Sequence, residues 1–451
     1  MEIQTFQKLL TQKAKEMGFY DCEIYYESGK SFEVLIYEKE VSHYENSSLR
    51  GISFRGTYDG KMGYSYSEKI EEDAIDFLLS EAKQNAQIIE EETSEELYAG
   101  DEQYPEVNEF NETLEKVTIA EKIKSAKEME TAAKEENENV AAIDYCVLGY
   151  EEEEIKIVNS KGLDVSFHNN LGTAYVSAIA QNEKDIKTGS EYWTDNRWNT
   201  FCPKQIGQVA AQTAVNHLGA CSVSSGEYKI LLENNVMADL LETFCIIFFG
   251  ETVQKGFSLL KEKQQQQVAS FCVTIRDDGI LENSAGSIPF DSEGVSCKNK
   301  AVVENGILKT YLYNLKSAKR DNTISTGNGF RASYHSPIQT TCTNFYIQQG
   351  EKSKQELIQS MQNGILITEI AGLHSGANTI SGDFSLSAEG FLVKDGVITH
   401  PVEQITIAGN FYELLMNIEE IADDLRFHIP SAFGRIGAPT VFIKKLAISG
   451  I

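Results

Sequence analysis

The 451-residue sequence has no paired CxxC, no long apolar run and no cluster of Lys and Arg, and each absence excludes a class of protein. The eight cysteines, Cys22, Cys146, Cys202, Cys221, Cys245, Cys272, Cys297 and Cys342, are scattered. They lack zinc-site or dithiol spacing and read as small apolar residues of a reducing compartment. The longest apolar run, Phe244 to Phe249, falls far short of the ~20 residues that span a bilayer. Met1 to Gly18 carries charges throughout and reads as an amphipathic helix rather than a leader, so a soluble, cytoplasmic chain is expected, with no membrane partner. The net charge of −28 repels a phosphate backbone, and no basic run offsets it, so direct nucleic-acid binding is not expected.

Histidine is scarce as well. None of the seven pairs with another at i, i+4, so the HExxH arrangement, which grips a metal between two imidazoles one helical turn apart, is absent. There is no GxxxxGK phosphate loop and no GxSxG nucleophile elbow. Gly327 and Gly329 in STGNGFRA imitate part of a dinucleotide fingerprint but lack a βαβ context, and read as a loop.

What is present alternates helix with strand. Phe6, Leu9, Leu10, Ala14 and Met17 recur at helical spacing up to Gly18. CEIYYESGKSFEVLIYEKEVSHYEN reads as two strands broken at Ser28-Gly29-Lys30, and RGISFRGTYDGKMGYSYSE as a hairpin turning at Asp59-Gly60. A helix carrying Ile70, Ala74, Phe77, Leu78, Ala82, Ile88 and Ile89 follows. From Glu90 to about Glu115 the acidic, aperiodic chain reads as a mobile connection with a solvated surface. A second unit begins near Thr118: a helix with Ile119, Ile123, Ala126 and Ala133, then strands AIDYCVLGY, EIKIVNS, LDVSFHN and TAYVSAIA, then a helix from Ile206 to Leu218. After Ser224-Ser225-Gly226 a strand leads into an apolar helix from Val236 to about Gly250, and the rest is short strands and glycine turns with one helix at Ser353 to Asn363.

The fold class expected is therefore α+β. The N-terminal half, residues 1–224 with sub-units 1–112 and 113–224, sets helices on antiparallel sheet. The C-terminal half, 225–451, is β-rich around a buried helix, with a closed or strongly curled sheet. Gly372 to Asn410 concentrates His374, Asp383, Glu389, His400 and Glu403 between short strands and glycine turns. Polar groups on strands and tight loops suit a binding or catalytic site, and equally a meander whose charges face water.

That stretch, together with GSIPFDSEGVSCKNKAVVENGILKTYLYNLKSAKR (Gly286 to Arg320), STGNGFRA, RGISFRGTYDGKMGYSYSE and the closing PTVFIKKLAISG, resembles the TldD/PmbA family, first labelled modulators of DNA gyrase and then understood as cytosolic zinc metalloproteases. SGDFSLSAEGF and PVEQITIAGNFYELLMNI are similar to the PmbA (TldE) branch, which pairs with TldD and lacks its HExxxH motif and late cysteine ligand. Laid over the TldD pattern, ILLENNVMADLLETFCII puts Glu242 and Ile247 where the two histidines would stand, and no cysteine follows Cys342. The resemblance implies no catalytic residues, no metal and no cofactor in this chain, with zinc in a TldD-like partner. It implies a subunit of a peptide-cleaving complex acting on unfolded or leader peptides. His374, Asp383, His400 and Glu403 are the candidate cleft residues. Two alternatives stand beside it: a non-enzymatic peptide-binding homodimer, and an independent hydrolase with an unrecognised site, for which His374 with Asp383 and His400 would be the metal donors.

Overall fold

The computed structural model describes residues 2–89, 96–107 and 110–451. Six antiparallel strands form the N-terminal sheet: β1 (Asp21–Tyr37), β2 (Glu40–Tyr58), β3 (Lys61–Ser67), β4 (Val140–Asn159), β5 (Asp164–Gln181) and β6 (Ile186–Asp195). Their order is β3-β2-β1-β4-β5-β6. Units 1–112 and 113–224 thus share one sheet, joined where β1 pairs with β4. Helices α1 (Ile3–Glu16) and α2 (Glu72–Ile88) cover β1–β3, burying Phe6, Leu10, Ile75 and Leu78 against Ile24, Ile52 and Phe54. After the short α3 (Glu112–Glu115), α4 (Ile119–Glu135) and α5 (Pro203–Asn216) cover β4–β6, where Met129 and Ala210 meet Leu148, Val176 and Trp193. Phe77 and Ile88, expected on the apolar side of α2, are exposed.

Several expected breaks are continuous strand. Ser28-Gly29-Lys30 lies in the middle of β1, paired with Glu154, Glu153 and Glu152 of β4. A Cβ on Gly29 would meet the Glu152 carbonyl at 3.0 Å, so glycine here serves close approach of backbones and not a turn. The hairpin turns instead at Glu38-Lys39, with φ of 50° and 64°, a left-handed pair that carries no glycine signature. The Asp59-Gly60 turn is as expected, with φ of 49° and 78°. Likewise AIDYCVLGY and EIKIVNS are one strand, β4, and LDVSFHN and TAYVSAIA another, β5.

Part of the expected mobile connection, residues 90–95 and 108–109, lies outside the described residues. Its segment 96–107 is fastened to the C-terminal half. Asp101 accepts the Ser296 N–H at 3.0 Å and the Tyr98 hydroxyl at 2.6 Å, and the Tyr104 hydroxyl donates to the Gly294 carbonyl at 2.7 Å.

The C-terminal half holds a closed ring. Strand β7 (Gly226–Leu232) pairs with Gly364–Ala371 on one side and Val441–Ser449 on the other. The chain Gly364–Ala371, Asp383–Lys394, Val397–Asn410 then returns to Val441–Ser449. A second six-stranded sheet is ordered 307–308, 299–304, 275–278, 344–347, 435–438, 426–427. Helix α6 (Asn234–Phe244) contacts strands of both and buries Val236, Leu240, Leu241 and Phe244. The α-helix stops at Phe244, and Cys245–Phe248 continue as a tighter 3₁₀ turn, so the helix expected to reach Gly250 changes pitch partway.

Candidate functional site

The β1 residues with even numbers, Ile24 and Val34 among them, face the four helices. The odd ones face the C-terminal half: Tyr25 packs with Ile155, Ile157 and Phe167 against Phe290 and Tyr334. Where this packing stops, the two halves leave a cleft of about 880 Å³. Its floor is set by strand register. Leu49, Gly29, Glu153 and Asn169 form one row across β2, β1, β4 and β5, and Ser47, Ser31, Glu151 and Leu171 form the next. Glu27 lies one pleat along on β1. Ile288, Phe330, Arg331, Pro337, Pro430 and Arg435 are among the residues of the opposite wall.

The floor is acidic and partly desolvated. Burial and the neighbouring charges of Glu27 and Glu151 push the Glu153 carboxyl up to about 7. Burial also raises Glu27, opposed by the Tyr334 backbone N–H and by the charges of His335 and Arg331. On the facing wall, the Arg331 side chain is buried against the Tyr25 and Tyr64 rings, 4.9 and 5.6 Å from their centroids. Its Nη1 donates to Ser53 Oγ at 3.2 Å, and Nη2 lies 3.7 Å from Glu23, which Arg55 also holds at 2.7 Å. Desolvation and the Arg55 charge lower Arg331 from its ordinary value. Arg435 is pinned to Ser284 at 2.7 Å.

Behind the 430–434 segment lies the polar face of α6. His428 Nδ1 is 3.6 Å from Asp239 and 3.9 Å from Glu242. The proximity of His428, and with it Ser431, holds the Glu242 carboxyl below its ordinary value against its burial. Burial, with the charges of Glu242 and Glu369, lifts Asp239 to about 6 despite the opposing His428. Ile247, in the 3₁₀ turn, is wholly buried in the main core. A zinc ion of the kind the resemblance implies needs imidazole or thiolate donors. Here one expected position carries a carboxylate that faces His428 at 3.9 Å, and the other a hydrocarbon, so these residues do not fit the metal. Among the described residues no trio of His, Cys, Asp and Glu is arranged to hold a metal ion.

The residues singled out between Gly372 and Asn410 lie apart from the walls of this cleft. His374 is exposed in the short helix Leu373–Gly376. Asp383 is exposed, and the Asn410 amide donating at 2.9 Å, with Ser381, keeps its carboxyl below the ordinary value. His400 is exposed at the hairpin opposite Leu392, its Nδ1 3.3 Å from Thr399 Oγ1. Glu403 and Glu389 do meet, on the ammonium of Lys187 from β6; Glu389 stands at 3.0 Å. Desolvation lowers Lys187, but these two carboxylates outweigh it and raise the ammonium overall. The stretch therefore joins the two halves through Lys187, with His374, Asp383 and His400 open to solvent.

Glu27, Glu151, Glu153, Arg331 and Arg435 were not anticipated as site residues. Their one sequence signal is the run Glu151–Glu154 between alternating apolar segments, which reads as a break and is in fact strand. Only register brings Glu153 next to Gly29.

The cleft lies between regions that match known domains. Residues 22–86 match the PmbA/TldA metallopeptidase domain 1, residues 112–218 the central domain and residues 225–450 the C-terminal domain of that family. A Haemophilus influenzae metalloprotease PmbA homolog is 28% identical over 293 residues, 65% of this chain, and the match spans 61% of that relative's length. The crystal structure of a candidate modulator of a DNA gyrase from Thermotoga maritima superposes with a TM-score of 0.90 at 32% identity, covering 99% of this chain and 100% of that one. TldE from Thermococcus kodakarensis shares the fold, with a TM-score of 0.91 at 22% identity over 99% of this chain and 100% of its own. With all three domains matched in order around one cleft, the chain belongs to the PmbA/TldD metallopeptidase family.

Proposed function

We propose that this protein is a PmbA/TldE-like subunit of a two-subunit zinc metalloprotease that cleaves unfolded or leader peptides in the cytoplasm, and that it is catalytically silent alone. The observation that carries the proposal is the face of α6. Where a family zinc site needs two imidazoles, Glu242 is tied to His428, and Ile247 is core. A buried hydrocarbon cannot donate to a metal, and a lone carboxylate beside His428 does not replace a pair of imidazoles. The partner would supply zinc and its activated water; this chain would supply a wall of the substrate channel. The cleft suits an extended chain, because its floor is a row of strands with Gly29 and the Ser31 and Ser47 side chains leaving room above the backbone. The acidic surface favours an indirect link to gyrase, through peptides that act on it, over contact with DNA.

The test is to purify the chain alone and with a TldD-type subunit carrying HExxxH, then assay an unfolded peptide. Cleavage only by the pair, abolished by a chelator, is expected. Chelator-sensitive cleavage by the isolated chain would overturn the proposal and restore an independent hydrolase. Peptide binding by a stable homodimer that never associates with such a subunit would leave a non-enzymatic peptide binder.

A further inference from the structure

Glu27 is 8% exposed, yet it lines the cleft, and its Oε2 has no hydrogen-bond partner among the described residues. A buried carboxylate oxygen left unpaired costs free energy that a cationic donor in the cleft would recover. Two strand-mates add to the demand. Glu153 stands on β4 across from Gly29, and Glu151 across from Ser31, both on the side of the sheet that Glu27 faces. Gly29, which lines the same part of the cleft, adds no side chain between Glu27 and Glu153.

From the unpaired oxygen and the neighbouring carboxylates that line the same cleft, we infer that the cleft floor binds the ammonium or guanidinium of a Lys or Arg side chain in an extended peptide, held between Glu27 and Glu153. This deepens the proposed function by naming the substrate class, basic unfolded peptides, and rests on that proposal.

The cations already present do not fill the place. Arg331 faces Glu27 but spends its Nη1 on Ser53 and Tyr64 and sets its Nη2 near Glu23. Lys30 points to Glu152, 3.0 Å away. Arg435 is bound to Ser284 and the Thr194 carbonyl. His335 and the Tyr334 N–H also face Glu27 from the C-terminal half, and the N–H bonds to its carboxyl. A peptide ammonium would add the second bond. It would also offset the burial, and the Glu27 and Glu151 charges, that together keep a proton on Glu153 near neutrality. Binding should therefore tighten as pH rises through about 7, where Glu153 gives up that proton.

The test uses the full chain and a short unstructured fluorescent peptide with one central lysine, followed by anisotropy at pH 6 and pH 8. Expected are roughly tenfold or greater weakening when that lysine is acetylated, a similar loss in Glu27→Gln and in Glu153→Gln, and tighter binding at the higher pH that Glu153→Gln abolishes. Equal binding of the acetylated peptide, or an unchanged lysine preference in both variants, would overturn the inference. So would spermidine binding alone as tightly as the lysine peptide, which would make the ligand a free polyamine. Cleavage by the partnered complex without any lysine preference sinks this inference and leaves the subunit role standing. Lysine-dependent binding by a chain that supports no cleavage with any partner does the reverse.

Discussion

Lys187 on β6 lies 3.0 Å from Glu389 on the strand Asp383–Lys394, and so ties the edge of the N-terminal sheet to the closed ring of the C-terminal half. Glu403 shares the same ammonium, whose side chain is 7% exposed. Lys187→Ala would leave two partly buried carboxylates facing one another. Since both retain contact with water, a loss of about 2 kcal/mol is expected, below the range for a fully buried pair. Urea unfolding checks it, and Glu389→Gln with Glu403→Gln in the same background should restore part of the loss.

Ile247→His tests whether the core at the 3₁₀ turn accepts a metal ligand. It replaces a wholly buried hydrocarbon with a polar ring among apolar side chains. A cost of about 2 to 4 kcal/mol is expected. Thermal unfolding with and without zinc measures it; stabilisation by zinc in Glu242→His/Ile247→His would show that the site can be rebuilt by two substitutions.

Glu153 makes stability depend on pH. Its folded value of about 7 lies above its ordinary 4.5, so the folded state holds the proton more tightly than the unfolded one. The contribution of Glu153 to stability is then fully present below pH 4.5 and is lost as pH rises through about 7. Glu153→Gln removes that loss, and relative to the native protein it should gain on the order of 2 kcal/mol at pH 8 and nothing at pH 4. Chemical unfolding at the two pH values decides it.

His428 governs the two carboxylates of α6. Its proximity is the largest influence lowering Glu242, and its charge opposes the rise of Asp239. In His428→Gln both carboxyls should titrate at higher pH. Carboxyl NMR titration reads this directly, and an unmoved Glu242 would refute the assignment.

Much of the fold was legible because it rests on local patterns. The apolar spacing of α1, α4 and α6, the Asp59-Gly60 turn and the shift to short strands after residue 224 are all carried by neighbouring residues. The long strands were not legible as such. Gly29 and Glu151–Glu154 look like interruptions, and they continue as strand because each has a partner on β1, β4 or β5 far away in sequence.

By itself the sequence determined the α+β class and the family, and it leaves Ile247 without a donor atom in any fold. Tertiary structure decided where a site could be. His374, Asp383 and His400 are neighbours in sequence terms but lie in solvent. Glu27 and Glu153, more than a hundred residues apart, share a cleft floor, because antiparallel register and not chain distance sets which side chains meet.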